Sequence, residues 1–277
     1  MSICADLHIH SNASDGELSP DQIIQYAALN GLKAIALTDH DTLVGVKRVF
    51  STHETQGLKI ITGVEISAEH DPGILHILGY FPTYPNGLES DLDKVQKARR
   101  DRIPKVIRKL NDLGLTITQD DVFLEAGDSQ VGRPHIARAL LKKKYVRSFD
   151  DAFDLYLGKG KKAYVPKEKM TWENSIALIK QYGGLPVLAH PYTLSLCRQE
   201  LVTLIVSMRE SGLEGIEVYY PDHSADQIAF YASIAWEMGL LETGGTDFHG
   251  TYRREVSIGE FGIEEHHLET FLMRLDV

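Results

Sequence analysis

Short apolar runs alternate with helical patterns along most of the chain, and most of those runs end in a histidine or an acid. Residues 3–9, 33–38, 58–67, 74–81, 185–190, 215–220 and 240–243 read as strands. Residues 20–30, 42–56, 172–182, 198–211, 224–238 and 264–275 read as helices. Ser19 and Pro20 mark a helix start and Gly31 its stop. Such alternation builds βαβ units and a largely parallel sheet. At 277 residues the chain is long enough for two ordinary domains or one large α/β barrel. The rhythm breaks between 83 and 165, where helical patterns follow one another (88–113, 120–125, 134–144, 149–157) and no convincing strand appears until about residue 163. The spacing predicts an α/β domain formed by 1–82 and 166–277, with an all-helical insertion at 83–165. Pro104, inside the longest helical pattern, is expected to kink or split it.

Charge narrows the partners. Lys and Arg total 29 against 39 Asp and Glu, a formal net charge of −10. That disfavours coating long nucleic acid or an anionic membrane, and leaves room for a small anion in a local cationic pocket. Cys4 and Cys197 are the only cysteines, too few for a disulfide framework and in keeping with a reducing compartment. No basic stretch leads into an apolar run at residues 1–6, and no apolar stretch approaches 18 residues. The expectation is a cytoplasmic protein.

The twelve histidines carry the chemistry. His8 and His10, in Asp6-Leu7-His8-Ile9-His10, are two apart on a strand and project to one face, a spacing suited to gripping a divalent ion. Thr38-Asp39-His40-Asp41 ends the second strand, at the sheet edge where α/β folds place their sites. Glu65, flanked by Val64 and Ile66, is costly to bury without a partner, and His76 in Leu75-His76-Ile77 poses the same problem. His190 ends another strand, and Asp247 and His249 repeat the spacing of two after Gly244-Gly245, a pair that permits close backbone approach. Asp15 sits in the loop 11–18. Each residue alone has an ordinary explanation: a surface histidine, a turn former, a helix cap, a satisfied core group. Together, at the ends of nearly every strand, they point to one shared metal centre.

These motifs, in this order, resemble the PHP (polymerase and histidinol phosphatase) superfamily, and span residues 6–249. The loop 11–16 and the helical insertion look most like its nucleotide-directed branch, which acts on nucleoside 3′,5′-bisphosphates or trims short RNA from the 5′ end. The resemblance implies a distorted (β/α)7 barrel with three divalent ions of manganese, iron or zinc, manganese favoured. Carried over by motif, one ion takes His8, His10, Glu65 and Asp247. A second shares Glu65 and adds His76 and His190, and a third takes Asp15, His40 and His249. The implied reaction is attack on phosphorus by a hydroxide bridging the metals, with the ions neutralising the phosphoryl oxygens. Asp6 and Asp39 are expected to orient imidazoles.

The insertion supplies cations. Arg99 and Arg102 share one helix face, and Arg133 and His135 open a helix after Gly132, where amide N–H groups favour an anion. With Lys161 and Tyr164 they match family positions lining the substrate phosphate and base. His223 matches a position near the leaving group and is the candidate general acid. The expectation is a metal-dependent phosphoesterase acting on a nucleotide or a short oligonucleotide. The alternatives are a histidinol-phosphate phosphatase, or a PHP module that is metal-stabilised, non-catalytic and regulatory.

Overall fold

A computed structural model describes residues 3–52, 55–127, 131–166, 170–250 and 256–276, with 51, 52, 94–96 and 98–100 described by backbone alone. The chain begins with β1 (Ala5–Ile9), α1 (Pro20–Leu29), β2 (Ala34–Leu37), α2 (Val44–Thr52), β3 (Lys59–Glu69) and β4 (Leu75–Phe81). Four helices follow: α3 (Leu88–Asp112), α4 (Gln119–Ala126), α5 (Arg133–Lys142) and α6 (Phe149–Ala152), the last continuing into a π turn at Phe153–Leu157. Then come β5 (Met170–Thr171), α7 (Trp172–Gln181), β6 (Leu185–Leu188), a 3-10 turn (Pro191–Leu194) and α8 (Arg198–Glu210). The chain continues through β7 (Gly215–Tyr219), α9 (Ala225–Met238), β8 (Leu241–Gly244) and α10 (Glu265–Leu275).

Seven strands pair in the order β1-β2-β3-β4-β6-β7-β8, with short β5 beside β3. The sheet nearly closes into a barrel. The Asp247 N–H donates to the His8 carbonyl at 2.8 Å and the His10 N–H to the Phe248 carbonyl at 3.0 Å, so β1 meets the segment after β8. The sheet is largely parallel, as the alternation predicts, with one exception that makes it mixed: β4 runs antiparallel to both β3 and β6. The reason is length. Only residues 70–74 separate β3 from β4, too few for the crossover a parallel pair requires. The reversal matters for the site, because Ser67 pairs with His76 and the start of β4 therefore lies beside the far end of β3.

Local chemistry agrees with the fold. Ser19 Oγ accepts the Gln22 N–H while Gln22 Oε1 accepts the Ser19 N–H, closing the start of α1. Inside the barrel, Ala5, Leu7, Ala34, Ala36, Leu78, Tyr80, Leu185 and Val187 form one apolar cluster with Leu268, Phe271 and Leu275 of α10. Side chains from β1 and β6 share this cluster only because the sheet curls round on itself. Truncating a buried leucine such as Leu7 to alanine is expected to cost about 2–5 kcal/mol.

The segment after β4 gathers a separate cluster: Ile103, Val106, Ile107, Leu110, Val122, Ile136, Leu140, Phe149, Leu157 and Ala163. Helix α3 spans both cores, since Leu88 and Leu92 near its start pack with the barrel-side residues Val64, Ile66 and Ile179. Pro104 does not split this helix, which runs from 88 to 112.

Candidate metal centre

The strand ends bring all nine sequence-predicted donors together at one end of the barrel. Glu65 in β3 is the hub. Its Oε2 lies 3.4 Å from His8 Nε2, 3.1 Å from His10 Nε2 and 3.0 Å from His40 Nδ1. Its Oε1 lies 2.7 Å from His76 Nδ1 and 3.0 Å from His190 Nε2. Asp247 Oδ1 is 3.4 Å from His8 Nε2 and 3.1 Å from His10 Nε2, and those two nitrogens are themselves 3.1 Å apart. Asp15 Oδ1 is 3.3 Å from His249 Nε2 and 3.9 Å from His10 Nδ1, and its Oδ2 is 4.0 Å from His40 Nε2.

Backbone geometry is bent to this purpose. Asp247 has φ 50° and His190 φ 26°, left-handed values uncommon for residues other than glycine. Gly245 has no room for a side chain, since a Cβ there would lie 2.5 Å from His8 Cβ, so the loop after β8 can press against β1.

Three donor sets emerge: His8, His10, Glu65 and Asp247; His40, Glu65 and His76; and His10, Asp15, His40 and His249. The first set is the sequence-derived one. His190 joins the second by its distances to Glu65 and to His76 Nδ1, at 3.0 and 3.3 Å. His10 also offers its other nitrogen to the third set, which the sequence did not suggest.

The donor set fits divalent ions. With ligand bonds of roughly 2.1 Å, donors around one ion are about 3.0–3.4 Å apart, and the first set spans 3.1–3.4 Å. Two imidazole nitrogens face each other at 3.1 Å amid carboxylate oxygens, an arrangement a shared cation stabilises. His10 Nδ1, His40 Nδ1 and Glu65 Oε2 are buried without a hydrogen bond, a cost that coordination would remove. Nitrogen and oxygen donors without thiolate suit manganese, iron or zinc.

Mutual charge dominates the electrostatics. Burial resists ionisation of Glu65, yet the surrounding imidazoles of His76, His40 and His8 hold its pKa well below the usual carboxylate range. Asp15 behaves likewise, with burial offset by His249, His40 and His10. Burial disfavours charge on His10, but the carboxylates of Asp247 and Glu65 outweigh it and push the pKa up to about 9. At His76 burial prevails, aided by the neighbouring His40 and His190, and the pKa falls to about 3, so this ring is neutral and ready to ligate.

Other sequence-predicted residues are placed differently. Among the described residues, Asp6 and Asp39 make no hydrogen bond to an imidazole. Asp6 accepts from Thr246 N and Oγ1 at 3.0 and 2.6 Å and from Gly259 N at 3.0 Å, tying β1 to the loops that follow β8. Asp39 accepts from Ser11 N, Ser11 Oγ and Ser14 Oγ at 2.7–2.8 Å, holding the loop that carries Asp15. His135 is fully buried and its Nδ1 accepts the Gly132 N–H at 2.8 Å, so it serves the start of α5 and offers no exposed surface to a substrate. Arg102 and Arg133 converge on Tyr164, with guanidinium carbons 5.2 and 5.9 Å from its ring centre. Arg133 Nη1 also donates to the Leu157 carbonyl at 3.1 Å. Lys161 is exposed. The side chain of Arg99 lies outside the described residues.

His223 is buried among Tyr192, Tyr220 and Tyr231. Its Nδ1 donates to the Val218 carbonyl at 2.8 Å, leaving Nε2 buried and without a hydrogen bond. Burial lowers its pKa. The sequence reading missed two residues at β7. Glu217 Oε1 accepts from His8 Nδ1 at 2.9 Å, and Tyr220 Oη donates to Asp247 Oδ2 at 2.9 Å. Glu217 sits between Ile216 and Val218, the same signal that singled out Glu65.

Comparison with known proteins agrees with this geometry. The family model of the PHP domain matches residues 6–182. The chain belongs to the PHP family. A 5′-3′ exoribonuclease of Haemophilus influenzae is 34% identical over 246 residues, covering 88% of this PHP chain and 89% of the relative. A 3′,5′-nucleoside bisphosphate phosphatase of Chromobacterium violaceum is 32% identical over 247 residues, covering 88% and 86%. A crystal structure from Bifidobacterium adolescentis, named as a candidate metal-dependent phosphoesterase, superposes with a TM-score of 0.87 at 29% identity and covers 98% of this chain and 96% of its own. The PHP chain is accordingly a metal-dependent phosphoesterase with a nearly closed mixed barrel. No helix among the described residues is long and apolar enough to cross a membrane.

Proposed function

We propose that this PHP protein hydrolyses a phosphate ester of a nucleotide, either a nucleoside 3′,5′-bisphosphate or the 5′ end of a short RNA, using three divalent ions with manganese favoured. The observation that carries this reading is the grouping of eight buried or half-buried donors into three sets that share Glu65, His10 and His40, with His190 beside the second. Bound ions there would neutralise phosphoryl oxygens and lower the pKa of water at the reacting phosphorus. Glu65, Asp15 and Asp247 supply the negative charge that retains the ions, and the imidazoles fix their spacing.

The substrate class rests on two supports. Relatives of this chain act on nucleoside bisphosphates and on RNA by their names. In the helical segment after β4, Arg102, Arg133 and Tyr164 combine two guanidinium groups with an aromatic face, chemistry that suits a phosphate next to a base and a role as a cap over the site. Lys161, exposed in the same segment, extends this surface. His223 presents Nε2 to the leaving group and, when protonated, hands it a proton. Its lowered pKa makes that protonated form scarcer as pH rises.

The deciding experiment measures phosphate release by manganese-loaded protein from adenosine 3′,5′-bisphosphate, AMP, 5′-phosphorylated short RNA and histidinol phosphate. Turnover of the bisphosphate or the RNA well above the other two is expected. Preference for histidinol phosphate, or no release from any of the four with metal bound, overturns the reading.

A further inference from the structure

Every long strand of the barrel except β7 places a metal-donor candidate within it or just beyond its end: His8 and His10 from β1, His40 after β2, Glu65 in β3, His76 in β4, His190 after β6, and Asp247 and His249 after β8. β7 places none, yet it carries a fully buried acid at its centre. Glu217 Oε1 lies 2.9 Å from His8 Nδ1, and Oε2 accepts the backbone N–H of His190 at 2.8 Å. An ionised carboxylate only accepts, so the His8 ring must donate from Nδ1. That fixes the tautomer and leaves Nε2 as the lone-pair nitrogen. Nε2 is the atom 3.1 Å from His10 Nε2 and 3.4 Å from both Glu65 Oε2 and Asp247 Oδ1. The second oxygen meanwhile holds the backbone of His190, at φ 26°, in the bend that turns its ring toward Glu65.

We propose that Glu217 is a positioning residue of the metal centre: one carboxylate sets the tautomer and aim of His8 in the first donor set and pins His190 beside the second. The proposal rests on the metal-centre reading above, and on nothing about the substrate. Outer carboxylates of this kind orient metal-binding imidazoles and tune their basicity.

The test is equilibrium dialysis of the full chain against buffered zinc or manganese, counting bound metal, for wild type, Glu217→Gln and Glu242→Gln. Glu242, on neighbouring β8, bonds Tyr219 Oη instead and is the control. Glu217→Gln replaces one accepting oxygen with a donor facing either His8 Nδ1–H or the His190 N–H. Its metal affinity is expected to fall about 10–100-fold while Glu242→Gln matches wild type. Equal affinity in Glu217→Gln overturns the proposal. So does a variant whose metal-free protein melts lower while the folded protein binds metal normally, the result of a merely structural carboxylate. If Glu217→Gln does not fold, long-range 1H–15N correlation on histidine-labelled, zinc-loaded wild type decides. A proton on His8 Nδ1 supports the role, and a proton on Nε2 overturns it. Wild type that retains no metal fails differently, since it removes the metal-centre reading itself.

Discussion

The mouth of the barrel and the helical segment 83–165 both present polar groups, but they hold them in opposite ways. At the barrel mouth, strand ends fix nitrogen and carboxylate donors at 2.7–4.0 Å from one another, buried, with several nitrogens and an oxygen left without hydrogen bonds. In the helical segment, cationic and polar side chains are taken up by the segment itself: Arg133 by the Leu157 carbonyl, His135 by the Gly132 amide, Lys109 by the Tyr164 carbonyl. The difference teaches a division of labour. A rigid sheet can hold mutually repelling lone pairs in a geometry only a cation satisfies. A small helical subcore of its own offers adjustable cations, which suits binding rather than chemistry.

The largest effect should follow from Glu65, which touches five imidazoles. Glu65→Ala is expected to lower kcat at least about 10³-fold, roughly 4 kcal/mol of transition-state stabilisation, and to reduce bound metal measured by mass spectrometry. A variant that keeps both would break the contrast between the regions. Next comes pH. His10, with a pKa raised from 6.5 to about 9, stabilises the metal-free fold fully below pH 6.5, and that contribution disappears as pH rises toward 9. Glu65 and Asp15, held below their ordinary values of 4.5 and 3.8, contribute above those values and lose their contribution as pH falls beneath them. The metal-free melting temperature should therefore decline between pH 6.5 and 9. Metal-loaded protein should show the reverse trend there, because ligation needs neutral imidazole. Parallel curves with and without metal would sink the assignment.

In the helical segment, Arg102→Ala and Arg133→Ala should each raise KM for a nucleotide substrate about tenfold, near 1.4 kcal/mol, with kcat changed much less. A fall in kcat as deep as that of Glu65→Ala would erase the division between the two regions. His135→Ala should lower the melting temperature, leaving the Gly132 amide without its partner at a cost of about 1–3 kcal/mol, while kcat/KM stays within about twofold. Smallest of all, Lys161→Ala should change KM less than about threefold, as expected of an exposed charge.

Which of these residues were legible in advance follows from how local their signal is. His8 and His10 declare themselves by a spacing of two on an apolar strand, and Glu65 by its β-branched neighbours. Glu217 carries that same signal, but what gives it a role, contact with His8 and His190, comes from residues 209 and 27 positions away in the chain. His135 has the look of an anion ligand at a helix start, yet the ring turns back onto the Gly132 amide, a choice that depends on the packing around it. The antiparallel β4 was readable from its short connection, though strand–helix alternation alone pointed the other way.

The sequence by itself determined the donor types, their order and their placement at strand ends, because a period of two and a run of apolar residues are properties of a local stretch of chain. Only the tertiary structure decided which donors share an ion, that β4 reverses to bring His76 alongside Glu65, and that β7 braces the centre rather than feeding it. Those outcomes depend on residues as far apart as His8 and Asp247 meeting where the sheet curls back on itself, and pairings across so long a stretch of chain leave no periodic trace in the sequence.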